Sequence, residues 1–148
     1  MKYYILFCLT FIWVPVFASA NPFSELYYYR AIKPAALKSL ECDLAVYGGT
    51  PAGVATAIQA AEMGKKVLLF SFNNHVGGLT SGGLTATDVG KGSSIGGLAK
   101  EFYNRIGRIR NFSPSAAEKL YLKMLKAARV KVLFRRCLIS VEKKGSRI

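Results

Sequence analysis

Apolar residues before position 70 fall into two short runs with a helix-like segment between them. The first run, residues 42–47, leads directly into a pair of glycines, which is typical of a buried strand that enters a tight turn. Residues 51–64 follow with mostly small side chains and place Val54 and Ile58 on one helical face. Residues 66–70 form the second apolar run. This order predicts a βαβ unit, in which a right-handed crossover makes the two strands parallel neighbours.

After position 70, a glycine-rich stretch is followed by further regular elements. Residues 73–99 contain paired glycines and no long periodic element, so their backbone either approaches a ligand closely or forms a loop. The spacing then predicts helices over 98–110 and 115–129, and strands over 130–134 and 138–141. We therefore expect an α/β fold in which helices flank a parallel sheet.

The N-terminus has the pattern of an export signal. Lys2 supplies a positive charge, residues 3–17 are apolar, and small side chains at 18–20 precede Asn21. The apolar run is too short to span a bilayer comfortably, and the alternative is an uncleaved N-terminal anchor. We expect cleavage that leaves no stable membrane span, and a location in the periplasm or outside the cell.

Positive charge is concentrated in the last third of the chain. The formal net charge is +13; residues 1–90 carry six Lys or Arg against five Asp or Glu, whereas residues 91–148 carry fifteen against three. These charges fall on segments with helical or strand spacing, such as Lys119, Lys123 and Lys126. They are interpreted as a solvated helix face, and no nucleic-acid partner is expected.

Cysteine and histidine are too few for a metal centre. Removal of the signal takes Cys8 with it and leaves Cys42 and Cys137, which permit one disulfide but are more often small buried apolar side chains. His75 is the single histidine, so no metal site built from Cys and His is expected.

The turn after the first predicted strand has the G-x-G-x-x-G frame of a dinucleotide-binding fingerprint. The frame is occupied by Gly48, Gly49, Thr50, Pro51, Ala52 and Gly53. Such a turn lets backbone N–H groups at a helix start meet a pyrophosphate, where the helix dipole favours negative charge. We expect Gly48 to make the turn and Gly53 to let the helix pack close to the strand. Thr50 replaces the second glycine, and either points away or gives its hydroxyl to the phosphate.

A second departure from the fingerprint lies at the end of the second strand. Ser71 stands where an acidic residue usually accepts hydrogen bonds from the adenosine ribose. A hydroxyl binds a ribose more weakly than a carboxylate does, so Ser71 is predicted to contact the nucleotide with reduced affinity.

The glycine-rich segment favours FAD over NAD. It reads Asn73-Asn74-His75-Val76-Gly77-Gly78-Leu79-Thr80-Ser81-Gly82-Gly83. With the first turn, it resembles FAD-dependent oxidoreductases of the glutathione-reductase-like Rossmann superfamily, in the subgroup with a "YGGTPAG" turn and an "NHxGGLTSGG" segment. The resemblance extends over residues 43–148. It implies FAD as the cofactor, a Rossmann-type parallel sheet, and a flavin-dependent oxidoreductase acting on an unknown small-molecule substrate.

The resemblance also implies a path for the cofactor. Five residues are expected along the pyrophosphate and ribityl chain: Gly77, Gly78, Leu79, Thr80 and Ser81. The backbone of Leu138 is expected beside the adenine. His75 has three roles open to it, namely a covalent flavin tether, a polar contact near the cofactor, or a hydrogen bond within the loop. No catalytic residue is identified.

The expected organisation has three parts. Residues 1–20 are the signal, residues 21–42 a linking segment with a possible short docking helix, and residues 43–148 the N-terminal part of an FAD-binding domain without its substrate domain. A turn signal at Lys144 and Gly145 should lead into another strand, so we expect a fragment or a truncated product. Two alternatives stay open: an NAD(P)-binding Rossmann module, and a non-catalytic exported remnant.

The export signal gives a first testable prediction. In an export-competent cell, the full chain should leave the cytoplasm and begin at Asn21 after processing. The substitution Ala20→Arg places a large charged side chain at the cleavage position and should abolish processing. Intact-mass measurement and N-terminal sequencing of the exported fraction check both, and an exported protein that still begins at Met1 would contradict cleavage.

Overall fold

A computed structural model describes residues 39–84, 88 and 90–145. The predicted signal and nearly all of the possible docking helix lie outside these ranges. The elements in chain order are β1 (Leu44–Tyr47), α1 (Pro51–Glu62), β2 (Val67–Phe70), α2 (Gly78–Ser81), a short 3-10 helix (Gly92–Ser94), α3 (Gly97–Ile106), α4 (Pro114–Ala127) and β3 (Lys131–Leu133). No helix in this part of the chain has the length and apolar character needed to cross a bilayer.

The three strands form one parallel sheet in the order β1-β2-β3. Leu44 pairs with Val67, and Leu68 pairs with Lys131. Helix α1 connects β1 to β2, as a crossover between parallel neighbours requires. The predicted βαβ unit and α/β fold are thus confirmed.

One apolar core joins the sheet to α1, α3 and α4. Leu69 of β2 and Ala57 of α1 are fully buried, and Leu125 of α4 is almost so. Val54 and Ile58, the face predicted for α1, are buried in the same cluster. This shared apolar core keeps the helices packed against the sheet. Burial of each large side chain stabilises the fold by about 1.5–3 kcal/mol.

Helix α1 begins and ends at signals that are visible in the sequence. Thr50 is its N-cap, and the side-chain oxygen of Thr50 accepts a hydrogen bond from the N–H of Gly53 at 3.1 Å. Pro51 occupies the first helical turn, where its missing N–H is no loss. Gly64 follows the last turn with φ +81, a conformation that glycine adopts without strain.

The predicted strand at 138–141 is wrong. Residues 138–143 form no strand, although their side chains alternate. After β3 the backbone turns at Arg135, which has φ +55, and the N–H groups of Arg135 and Arg136 donate to the carbonyl oxygens of Asn73 and Ser71. The chain after β3 is therefore held to the residues that follow β2 and does not continue as a strand.

An aromatic cluster joins α3 to α4 beneath the glycine-rich segment. The ring of Phe102 stacks on Tyr121 at a centroid distance of 4.3 Å, and Phe112 meets Phe102 edge-on. Burial raises the pKa of Tyr121 to about 12, and a hydrogen bond with the Thr80 side chain partly opposes this. Tyr121 is therefore a neutral phenol throughout the physiological range.

The close contact at Gly53 predicts a large loss of stability on substitution. A Cβ at position 53 would lie 1.9 Å from the carbonyl oxygen of Gly48, so Gly53→Ala should lower the free energy of unfolding by about 3 kcal/mol. Gly90→Ala is the matched control, since a Cβ there meets no atom within 4 Å. It should stay within about 0.5 kcal/mol of the wild type. Urea unfolding followed by circular dichroism measures both, and equal losses would contradict the contact.

The pKa of Tyr121 predicts a specific alkaline sensitivity. Its folded-state pKa of about 12 exceeds the ordinary value of 10.0, so ionisation favours the unfolded chain and stability falls as pH rises between these values. Tyr121→Phe removes this dependence. Urea unfolding across that pH range should show a smaller stability loss for Tyr121→Phe than for the wild type. Tyr103→Phe, in the same cluster, controls for loss of a phenol, and parallel losses in wild type and Tyr121→Phe would contradict the assignment.

Candidate functional site

A cleft lies at the carboxyl ends of β1 and β2. Its volume is about 600 Å³. It is lined by Tyr47, Gly48, Gly49, Thr50, Ser71, Phe72, Asn73, His75, Gly78, Ser81, Gly82, Gly83 and Pro114. Ligands of parallel α/β sheets bind at this edge, because the loops and helix N-termini meet there.

The two glycines between β1 and α1 are required for different reasons. Gly48 has φ +124, and a Cβ on it would meet no protein atom within 4 Å. Its N–H donates to the carbonyl oxygen of Phe70 at 2.9 Å, which fixes the turn to the end of β2. A Cβ on Gly49 would lie 2.7 Å from the hydroxyl oxygen of Ser71. Gly48 therefore gives the turn its conformation, and Gly49 lets the turn pack against β2.

The start of α1 presents unpaired hydrogen-bond donors. Within the described ranges, the backbone N–H groups of Gly49, Thr50 and Ala52 donate to no protein atom. The N–H of Gly53 is taken by the Thr50 side chain, and Pro51 has no N–H. Unpaired donors at the positive end of a twelve-residue helix form an arrangement that binds anionic oxygens.

The side chain of Thr50 caps its own helix. Because its oxygen accepts from Gly53 N–H, the hydroxyl proton stays available to a further acceptor. Thr50 also lines the cleft. Both roles that the sequence left open for Thr50, pointing away from the ligand or donating to it, stay predictions.

Gly53 makes its close contact at a different place from the one expected. The sequence predicted that Gly53 allows the helix to approach the strand. The atom nearest to a Cβ at position 53 is the carbonyl oxygen of Gly48, in the turn that follows the strand. Gly53 thus lets the first helical turn fold tightly over the strand-to-helix turn.

The two glycine motifs, separated in sequence, meet in the structure. The N–H of Gly77 donates to the carbonyl oxygen of Gly49 at 2.6 Å. A Cβ on Gly78 would lie 3.1 Å from the ring of Pro51, and one on Gly77 would lie 2.7 Å from the ring of Tyr121. Both glycines have positive φ, at +102 and +50. The second motif therefore packs directly onto the start of α1, with Tyr121 behind it.

Some of the predicted residues of the second motif line the cleft, and others lie outside its lining. Gly78 and Ser81 line the cleft, and the Ser81 hydroxyl donates to the carbonyl oxygen of Val76. Leu79 is exposed and Thr80 contacts Tyr121, and neither is among the lining residues. Contact of these side chains with a cofactor stays a prediction.

Ser71 lies at the cleft with its hydroxyl proton already used. The residue is 2% exposed, and its Oγ donates to the carbonyl oxygen of His75 at 2.8 Å or to Asn73 Oδ1 at 2.9 Å. A hydroxyl has one proton, so only its oxygen can serve a ligand, as an acceptor. The predicted ribose contact is thereby limited to accepting a hydrogen bond from a ribose hydroxyl.

His75 bridges the glycine-rich loop to α4. Its Nδ1 lies 2.9 Å from Glu118 Oε1, and its side chain is 66% exposed. Its backbone N–H donates to Asn73 Oδ1, which rigidifies the loop. His75 also lines the cleft, so the structure leaves its tethering, contact and loop roles all open.

Leu138 lies beside the cleft and does not line it. Its N–H donates to the hydroxyl oxygen of Tyr47 at 3.2 Å. Six lining residues were not among the predicted site: Tyr47, Phe72, Asn73, Gly82, Gly83 and Pro114. Tyr47 ends β1 and Phe72 comes two residues after β2, so the rule that parallel strands bind ligands at their carboxyl ends could have identified both.

The cysteines and acidic residues form no further site in the part of the chain described. Cys42 and Cys137 are free thiols, each half-buried. Across the described ranges, no three His, Cys, Asp or Glu side chains come together in a group able to hold a metal ion.

Comparison with known proteins assigns the family. No curated protein has a significant sequence match to this chain. Among solved structures, THI4 of Thermovibrio ammonificans is similar at 17% identity and a TM-score of 0.44, over 63% of this chain and 38% of THI4. A family model described as FAD dependent oxidoreductase matches residues 43–148, well over half of the chain. The chain therefore belongs to the FAD-dependent oxidoreductase family, whose cofactor is FAD, as the two glycine motifs predicted.

Proposed function

We propose that the cleft binds FAD with its pyrophosphate against the turn between β1 and α1. The observation that carries this proposal is the set of unpaired N–H groups at Gly49, Thr50 and Ala52, at the positive end of α1. A diphosphate needs several donors within one turn of backbone, and this turn offers them together with the free hydroxyl proton of Thr50.

The shape of the turn fits a pyrophosphate. The position of a Cβ on Gly48 is empty of protein atoms, so the backbone there is open to a ligand. Gly78 lines the same cleft and Gly77 is hydrogen-bonded to Gly49, which brings the second motif alongside the first. The residues present therefore fit the diphosphate group, and the second motif extends the surface towards the ribityl chain.

The proposed orientation puts the adenosine at the end of β2. Ser71 would accept a hydrogen bond from the ribose, and the backbone near Leu138 would lie beside the adenine. Tyr47 supports this arrangement, since it lines the cleft and accepts the N–H of Leu138. The flavin would then continue past Ser81 towards Gly83.

The proposed activity is that of a flavin-dependent oxidoreductase on an unidentified small molecule. The bound flavin supplies the hydride or electron transfer. The described residues bind and orient the cofactor. His75, whose ring pairs with the carboxylate of Glu118, lies two residues before the glycine pair Gly77 and Gly78. Export through residues 1–20, and residues 43–148 as the N-terminal part of the FAD-binding domain, belong to the same proposal.

The pyrophosphate site is tested by two glycine substitutions at positions of positive φ. Gly48 and Gly64 both have positive φ, and a Cβ on either meets no atom within 4 Å. Gly48 lines the cleft and Gly64 does not. Gly48→Ala should weaken FAD binding by about tenfold or more, whereas Gly64→Ala should leave it within about twofold, because only the first methyl enters the ligand space. Isothermal titration of the full chain with FAD measures both, after circular dichroism has shown that each variant is folded.

The outcomes distinguish a blocked pyrophosphate site from a general effect of backbone strain. Equal weakening by Gly48→Ala and Gly64→Ala would contradict the proposed position of the pyrophosphate, because strain alone would then explain the loss. A folded wild-type chain that does not bind FAD would favour the non-catalytic remnant. Binding of NAD in preference to FAD would favour the nicotinamide alternative.

A further inference from the structure

His75 lies directly beside the turn that holds the unpaired N–H groups. A Cβ built on Gly49 would lie 3.1 Å from the carbonyl oxygen of His75. Two residues further on, the N–H of Gly77 donates to the carbonyl oxygen of Gly49 at 2.6 Å. The backbone that carries the His75 side chain is therefore packed against the backbone proposed to bind the pyrophosphate.

Among the described residues that line the cleft, His75 is the one whose side chain can carry a positive charge. None of these lining residues is Lys, Arg, Asp or Glu, and the other titratable side chain is the phenol of Tyr47. The pyrophosphate of FAD is negatively charged, and a hydrogen bond from an ionised donor is roughly twice as strong as a neutral one. A protonated imidazole would therefore add to the binding that the backbone donors provide.

The carboxylate of Glu118 holds the ring of His75 at the wall of the cleft. Nδ1 of His75 lies 2.9 Å from Glu118 Oε1, and 66% of the His75 side chain is exposed. Pro114 lines the cleft and lies four residues before Glu118, on the same face of α4. The ring is therefore attached to the first turns of α4, and most of its surface is free for a ligand.

Glu118 also determines which nitrogen of the ring carries a proton. A carboxylate only accepts hydrogen bonds, so the proton of a neutral His75 ring lies on Nδ1. The other nitrogen, Nε2, has no hydrogen-bond partner among the described residues. In the neutral ring Nε2 is an acceptor and repels a phosphate oxygen, whereas in the protonated ring it is a charged donor.

The neighbouring elements add no competing acidic group. Tyr121 lies on α4 behind Gly77, and burial raises its pKa to about 12. The first turns of α1 and α4 contain no acidic residue. His75 and Glu118 are thus the ionisable pair at this wall of the cleft, and loss of the imidazole proton leaves the carboxylate without a compensating charge.

We propose that protonated His75 donates from Nε2 to the pyrophosphate of FAD, so that the cofactor binds together with a proton. This rests on the proposed function, which places the pyrophosphate at the turn between β1 and α1. Glu118 is the positioning residue, because it orients the ring and makes donation depend on protonation. Of the three roles that the sequence left open for His75, this is the polar contact with the cofactor.

The test follows FAD binding across pH. Isothermal titration of the full chain should give a dissociation constant that rises about tenfold from about pH 5 to about pH 8, the range in which imidazole loses its charge. At about pH 7, binding should also take up protons. Titration in phosphate and in Tris buffer measures this uptake, since the two buffers differ in their enthalpy of ionisation. Release of protons, or no exchange, overturns the proposal.

Variants identify the group that titrates. At about pH 5, His75→Gln should bind FAD about tenfold more weakly than the wild type, and its affinity should change by less than about twofold up to about pH 8. Glu118→Gln frees the tautomer of the ring, because an amide can donate to Nδ1 as well as accept from it. It should therefore bind FAD more tightly than the wild type at about pH 8, and its change across the range should fall to about threefold.

Glu101→Gln is the matched control for Glu118→Gln. Glu101 is also a helical glutamate in an ion pair, with Arg105, and its substitution changes the net charge by the same amount. It should keep the tenfold change of the wild type. Circular dichroism first shows that each variant is folded.

Each contrary result has a distinct meaning. A full pH dependence in folded His75→Gln shows that another group titrates and overturns the proposal. An equal loss of dependence in Glu101→Gln and Glu118→Gln shows a general effect of charge and overturns it as well. FAD binding by the wild type that does not change with pH overturns the role of His75 and leaves the proposed function standing. A folded chain that binds no FAD at any pH overturns both.

Discussion

The carbonyl oxygen of Gly48 packs against the first turn of α1 where a side chain at position 53 would begin. This contact leaves no room for a Cβ, since one built on Gly53 would lie 1.9 Å from that oxygen. It folds the helix start tightly over the end of β1, so that the unpaired N–H groups of the first turn come to the carboxyl edge of the sheet. The cleft, its donors and its place between two strands all depend on this approach.

The glycine-rich segment after β2 fixes that turn from the other side. Gly77 donates to the carbonyl oxygen of Gly49, and the ring of Tyr121 fills the space behind Gly77. Because Tyr121 belongs to the aromatic cluster of α3 and α4, the position of the loop is determined by the apolar core. The same burial keeps Tyr121 neutral, which avoids a buried charge beneath the cleft. The packing of the apolar core therefore also determines the geometry of the cleft.

The end of β2, at the edge of the cleft, departs from the composition that is usual in dinucleotide-binding folds. Ser71 offers no carboxylate, and its hydroxyl is turned to the loop at His75. Two of the positive charges in residues 91–148 belong to Arg135 and Arg136, whose backbone N–H groups donate to the carbonyl oxygens of Asn73 and Ser71. Most of the other basic residues lie on exposed surface of α3 and α4 or in loops.

The sequence by itself determined the βαβ unit, the family and the cofactor, because these depend on short-range signals: apolar runs of strand length and glycines at fixed spacing. It also located α3 and α4 to within a few residues, although α3 ends earlier than predicted, at Gly107 with φ +80. Only the tertiary structure decided what residues 138–141 do. Their alternation is that of a strand, but the left-handed turn at Arg135 and two hydrogen bonds to residues some sixty positions earlier direct them across the end of β2. Three further features could not be predicted from the sequence for the same reason, since each depends on a tertiary contact. They are the orientation of the Ser71 hydroxyl, the pairing of His75 with Glu118, and the packing of the Tyr121 ring behind Gly77.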